Sequence, residues 1–99
     1  MQIVKRTEES KMVSKKVKVV NSQGFHMRPV TAFVGAMGKY GSDVKIVSKG
    51  NEINGKSLMG IVAACIKCGE EIEVQCSGDD EEAALQEAVG MIESGFGEE

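Results

Sequence analysis

The single histidine of this 99-residue chain lies in the run Gly24-Phe25-His26-Met27-Arg28-Pro29, whose residue types suit the chemistry of phosphate groups. An apolar periodicity after the run predicts a helix that starts here, and a helix start presents unpaired N–H groups and the positive end of the helix dipole. A neutral imidazole at that start can act as a nucleophile. The planar guanidinium of Arg28 fits phosphate oxygens. We therefore interpret His26 as a catalytic phosphoryl acceptor and Arg28 as the group that stabilises the phosphate.

Two neighbours of His26 are expected to shape the backbone around it. Gly24 allows a sharp bend where the chain approaches the helix. Pro29 is expected to occupy the first helical position, where a missing N–H removes no helical hydrogen bond.

Three stretches of the chain also carry a family resemblance. The run around His26 resembles the active-site signature of HPr, the histidine-containing phosphocarrier family of the bacterial phosphoenolpyruvate-dependent sugar phosphotransferase system. Lys56-Ser57-Leu58-Met59-Gly60 resembles the regulatory serine site of Gram-positive members, and residues 69–81 resemble the last strand of the family and the start of its last helix. The resemblance covers residues 13–92. It departs from the family at Val30, where members usually have a small residue, and at Met27, where they often have one.

The resemblance implies a covalent relay, a phosphoryl-transfer intermediate more than an enzyme with its own turnover. His26 would accept a phosphoryl group on Nδ1 from phospho-enzyme I and pass it to sugar-specific enzyme IIA domains. Arg28 would stabilise the transferring charge. No metal and no cofactor is expected.

Ser57 has two compatible interpretations. Its hydroxyl is expected to cap the helix that follows. The resemblance adds a regulatory phosphorylation, with an HPr serine kinase/phosphorylase and a catabolite control transcription regulator as partners. We assign partner docking to Met27, Leu58 and Met59, because methionine adapts to surfaces that meet several partners.

Composition narrows the classes of function. The net charge of −3 argues against a nucleic-acid-binding protein, which usually carries a basic face. No apolar run is long enough to insert into a membrane, and no signal-peptide pattern is present. The sequence therefore predicts a cytoplasmic protein.

Residues 1–11 are expected to form a flexible N-terminal extension, and residues 12–99 a single HPr-like domain.

Strand and helix periodicities alternate along that domain in the order βαββαβα. The predicted strands are 16–19, 43–48, 52–54 and 72–76, and the predicted helices are 28–40, one capped by Ser57 and one capped by Asp79 or Asp80. This order predicts an α+β fold. The resemblance specifies an open-faced β-sandwich, a four-stranded antiparallel sheet covered on one face by three helices.

Two alternative functions compete with that of a phosphocarrier. The first is a purely regulatory HPr-like protein that acts through Ser57; the presence of both His26 and Arg28 argues against it. The second is a small nucleotide-binding protein, because residues 50–57 match the G-x-x-x-x-G-K-[ST] pattern of a phosphate-binding loop. Residues 52–54 are better explained as the second strand of a hairpin, which disfavours that loop.

The three cysteines suit a reducing compartment. Cys65-x-x-Cys68 could form half a zinc site or a redox pair, but it lacks convincing further ligands. We expect Cys65 and Cys76 to be small core residues, on a helix and a strand respectively.

Overall fold

A computed structural model describes residues 4–5 and 12–97 of the chain. The elements in chain order are β1 (Val4–Lys5), β2 (Met12–Lys18), α1 (Met27–Met37), β3 (Asp43–Ser48), β4 (Asn51–Asn54), α2 (Leu58–Ala63), β5 (Glu71–Ser77), α3 (Glu81–Glu93) and a 3₁₀ turn (Gly95–Gly97). From β2 to α3 the predicted order βαββαβα is confirmed. The boundaries shift: β2 begins at Met12 instead of residue 16, and α1 ends at Met37 instead of residue 40.

The strands form one antiparallel sheet in the order β1-β2-β5-β3-β4. Side chains of the long central strand β5 alternate between the two faces, because successive residues of a strand point to opposite sides. Val74 lies opposite Ile46 of β3, and Cys76 lies opposite Val13 of β2. These four side chains are buried, so one face of the sheet is apolar.

The three helices cover that apolar face. The buried residues of the helices are Pro29, Val30, Phe33 and Met37 of α1, Ile61 of α2, and Glu81, Ala84, Leu85, Ala88, Val89 and Ile92 of α3. The opposite face of the sheet carries polar residues such as Lys16 and Lys45, both exposed. The fold is the predicted open-faced sandwich. None of the helices in the described ranges is long and apolar enough to cross a membrane.

The two-residue strand β1 was not predicted. Val4 lies opposite Ser14 and Lys5 opposite Val13, so β1 extends the sheet beyond β2. A strand of two residues is too short to show the periodic pattern that indicates a strand in a sequence. The rest of the predicted extension, residues 1–3 and 6–11, lies outside the described residues.

The prediction for Cys65 is wrong. Helix α2 ends at Ala63, so helical spacing no longer sets the direction of the side chain two residues later. Cys65 is exposed in a left-handed conformation with φ of 54°, and Ile66 is buried in its place. Cys76 is in the core as predicted, and burial raises the pKa of its thiol to about 12.

Asp80 occupies the N-cap position of α3, but its carboxylate does not cap that helix. It accepts hydrogen bonds from the backbone N–H groups of Gly41 (3.0 Å) and Ser42 (2.9 Å) and from the Ser42 hydroxyl. The Ser42 hydroxyl is the main reason why the pKa of Asp80 is lowered. Asp80 therefore connects α3 to the loop that precedes β3.

Candidate active site

His26 is the N-cap residue of α1. Its backbone is extended, with φ of −89° and ψ of −176°, and its carbonyl accepts the first helical hydrogen bond from Val30 N–H at 3.2 Å. Within the described residues, the His26 side chain makes no capping bond to the helix. The half-buried imidazole thus lies at the positive end of the α1 dipole, as the sequence predicted.

Met27 and Arg28 are the first two residues of α1, and both are exposed. The first turn of the helix contains no acidic side chain that would repel an anion. Pro29 is the third helical residue, so the prediction that it occupies the first position is wrong. A proline at the third position still removes no helical hydrogen bond, because no N–H of a first turn has an acceptor within the helix.

The loop before His26 is held by hydrogen bonds around Gly24. The Asn21 side chain donates to the Gly24 carbonyl at 2.6 Å, and the backbone N–H of His26 donates to the same oxygen at 3.0 Å. Gly24 has φ of 66°, which confirms the predicted bend. Asn21 is fully buried, and its role was not predicted from the sequence. An asparagine three residues before a glycine is the signal that would have indicated such a turn.

A second loop supports the first from the side. Phe25 N–H donates to the Ile66 carbonyl at 2.9 Å. A Cβ atom added to Gly24 would lie 2.5 Å from the same oxygen. The absence of a side chain at Gly24 is therefore what lets the two loops approach.

The C-terminal 3₁₀ turn forms another border of the site. The Phe96 ring lies 5.4 Å from the Phe25 ring and 6.5 Å from the Phe33 ring, measured between centroids, in edge-to-face geometry. An open depression is lined by Ser22, Gln23, His26, Met27, Arg28, Phe96 and Gly97. Phe96 was not predicted as a site residue, because Gly-Phe-Gly indicates a turn but not the residues that the turn contacts.

Ser57 is the N-cap residue of α2, and its Oγ accepts a hydrogen bond from Gly60 N–H at 3.1 Å. The predicted capping role is confirmed. Leu58 is half-buried, whereas Met59 is 69% exposed and Met27 is 51% exposed. Helices α1 and α2 pack against each other, so the two methionines are carried by neighbouring helices.

Two alternative sites receive no support from the geometry. The residues between Gly50 and Gly55 form β4, which pairs with β3, and this confirms a hairpin strand where a phosphate-binding loop would have to be. Cys65 and Cys68 are exposed. Among the described residues, no group of three His, Cys, Asp or Glu side chains is placed to hold a metal ion.

Comparison with known proteins gives a consistent result. The family model described as "PTS HPr component phosphorylation site" matches residues 13–94. The chain is 38% identical over 88 residues to the phosphocarrier protein HPr of Treponema pallidum, covering 89% of this chain and all of the relative. It is 32% identical over 82 residues to the HPr-like protein Crh of Bacillus subtilis, covering 83% of this chain and 96% of Crh.

The fold comparison agrees with the sequence comparison. A crystal structure of HPr from Thermoanaerobacter tengcongensis superposes with a TM-score of 0.83 and 35% identity, covering 87% of this chain and 97% of that one. The family model spans most of the chain, the relatives match over nearly their full length, and the fold is shared. The chain therefore belongs to the HPr family, the phosphocarriers of the phosphotransferase system.

Proposed function

We propose that His26 carries a phosphoryl group between enzyme I and enzyme IIA domains. The observation that supports this most directly is the position of His26 at the N-cap of α1, with Arg28 in the first turn. The helix dipole and the guanidinium both favour negative charge at that point. The site therefore stabilises a phosphoryl group that is bound to the imidazole, and it also stabilises the transition states in which that group arrives and leaves.

The proposed step forms one bond and breaks one bond. The lone pair of an imidazole nitrogen, Nδ1 by the family resemblance, attacks phosphorus, and the bond from phosphorus to the donor group of enzyme I breaks with its electron pair remaining on the donor. Arg28 and the N–H groups of the first turn stabilise the charge on the equatorial oxygens. The reverse sequence of bond changes delivers the group to enzyme IIA. The chain needs no metal or cofactor for either step.

We assign partner docking to Met27, Leu58 and Met59. Two of these side chains are large apolar groups exposed beside polar neighbours, at the starts of α1 and α2. A carrier must fit both its donor and its acceptors, and flexible methionine side chains adapt to several surfaces. We expect such a carrier in the cytoplasm, with no direct binding to nucleic acid and no insertion into a membrane.

Ser57 is proposed as a regulatory phosphorylation site. Its place next to Leu58 and Met59 means that a phosphate would add about two negative charges beside the docking surface. An HPr serine kinase/phosphorylase would add the phosphate, and a catabolite control transcription regulator is the expected partner of the modified form. The similarity to Crh keeps a purely regulatory role as the alternative proposal.

Intact mass measurements separate these functions. With enzyme I and phosphoenolpyruvate, the parent should gain one phosphoryl group that is labile in acid and stable in base, and His26→Ala should gain none. With ATP and the serine kinase, the parent and His26→Ala should both gain one group, and Ser57→Ala should gain none. Labelling by the kinase alone would support the regulatory alternative and contradict the proposed relay.

A further inference from the structure

Residues 95–97, the turn that follows α3, form a left-handed hook. Gly95, Phe96 and Gly97 have φ values of 68°, 57° and 76°. Glycine adopts this region freely, but a residue with a Cβ atom does so at a cost in free energy. Phe96 is thus the one strained residue of the hook, and glycine lies on each side of it.

The strain at Phe96 is offset by contacts of its ring. The ring packs edge-to-face on Phe25, at 5.4 Å, and on Phe33, at 6.5 Å. Such pairs are favourable beyond the apolar area that they bury. If the hook served only to end α3, a third glycine would form it with less strain. The side chain is therefore what this position requires.

Each partner of the Phe96 ring lies on an element that positions His26. Phe25 directly precedes His26 and is buried, and Phe33 lies on the buried face of α1, the helix that His26 caps. The ring of Phe96 therefore connects the loop that carries the histidine to the helix whose dipole acts on it. Phe96 also lines the depression that contains His26 and Arg28.

We propose that Phe96 is a positioning residue for phosphoryl transfer, which holds the Phe25–His26 segment against the start of α1. This inference rests on the proposed function of His26. Small displacements of a reacting group have large effects on rate, so loss of the ring should slow transfer on the order of tenfold. Phe96 is not the nucleophile, so the variants should still accept one phosphoryl group on His26.

The test uses the full chain with Phe96→Ala, Phe96→Gly and Phe96→Tyr. Ala removes the ring and keeps the left-handed strain, Gly removes both, and Tyr keeps the ring. Val44→Ala is the control for general destabilisation. Val44 is buried near the end of β3 at which Asp43 pairs with Ser77 of β5. The first residue of β2 pairs with the same Ser77, whereas His26 follows the opposite end of β2. All variants are measured at a temperature where circular dichroism shows them folded.

Two measurements are made on each variant: the single-turnover rate constant of transfer from phospho-enzyme I at saturating concentration, and the ¹H–¹⁵N resonances of His26 without enzyme I. We expect Phe96→Ala and Phe96→Gly to be slowed about tenfold with shifted His26 resonances, and Phe96→Tyr and Val44→Ala to match the parent in both. Equal slowing in Val44→Ala, or parental rates in Phe96→Gly, would overturn the inference.

The resonances keep the two proposals distinguishable. If the parent accepts no phosphoryl group, the proposed function fails, while the His26 resonances still report whether Phe96 positions the histidine. Unchanged His26 resonances in both Phe96→Ala and Phe96→Gly would overturn the positioning role whatever the parent does with enzyme I.

Discussion

The backbone N–H of Phe25 donates to the carbonyl of Ile66 at 2.9 Å, so the loop that carries His26 is bonded to the loop that follows α2. This contact requires a residue without a side chain at Gly24, since an added Cβ would lie 2.5 Å from the Ile66 oxygen and 2.8 Å from Lys67 Cα. Real Cβ atoms do not approach backbone atoms so closely. One of the loops must move if Gly24 is replaced.

Gly24→Ala should therefore lower both stability and transfer. The left-handed φ alone costs about 1–2 kcal/mol for a residue with a Cβ atom, and the backbone clash adds to it. The control is Gly50→Ala, which has φ of 81° but no atom within 4 Å of the added Cβ. Denaturant unfolding should show a larger loss for Gly24→Ala, and only this variant should transfer phosphoryl groups slowly. Equal losses in the two variants would contradict the close approach of the loops.

Arg28→Ala should keep the fold and slow transfer. Arg28 is exposed at the start of α1, so the free energy of unfolding should change by less than about 0.5 kcal/mol. Loss of one electrostatic donor can slow a reaction on the order of a hundredfold. Arg28→Lys keeps the charge without the planar fork and should be intermediate. Lys16→Ala, an exposed cation on the open face of the sheet, controls for net charge. Unchanged transfer from enzyme I in Arg28→Ala would reject the assigned role.

Ser57 variants separate capping from regulation. Ser57→Ala removes the acceptor for Gly60 N–H and should lower the free energy of unfolding by about 1 kcal/mol, with parental transfer kinetics. Ser57→Asp keeps a capping oxygen and should retain stability, but its charge next to Leu58 and Met59 should raise the apparent KM for enzyme I. Gln86→Glu, exposed on α3, makes the same change in net charge elsewhere. Equal KM values in all of these variants would leave Ser57 as a helix cap only.

The Asp80 carboxylate gives a pH-dependent contribution to stability. Hydrogen bonds, first of all from the Ser42 hydroxyl, lower its pKa from the usual 3.8. The contribution is fully present above that usual value and is lost as the pH falls through the lowered native pKa. Asp80→Asn should be less stable than the parent at pH 7, and the difference should shrink at acidic pH. Urea unfolding between pH 7 and pH 2, with Asp79→Asn as the control, checks this. A difference that does not vary with pH would contradict it.

The sequence predicted the elements that have long periodic patterns and missed the contacts between distant segments. The alternation of Ile72, Val74 and Cys76 identified β5, and the spacing in α3 identified its buried face. The helical pattern was continued too far at Cys65, because periodicity does not mark where a short helix ends. The positions of His26, Arg28 and Ser57 at helix starts were predicted correctly, because local residue types indicate a helix start.

Asn21, Ile66 and Phe96 could not be found in that way. Asn21 acts through a turn, and the other two reach the His26 loop from segments far along the chain. Asp80 shows the same limit: its position at a helix start was predicted, but its partners Gly41 and Ser42 lie in another loop. Such contacts depend on the packing of the whole fold.

Onward transfer from the isolated phosphorylated protein shows whether His26 acts as a relay. The chain is phosphorylated by enzyme I and phosphoenolpyruvate, separated from both, and mixed with an enzyme IIA domain. We expect its intact mass to return to that of the unmodified chain as the IIA domain gains one phosphoryl group, and we expect His26→Ala to take part in neither step. A phosphoryl group that stays on the chain, or one that His26→Ala also carries and delivers, would rule out a relay through His26.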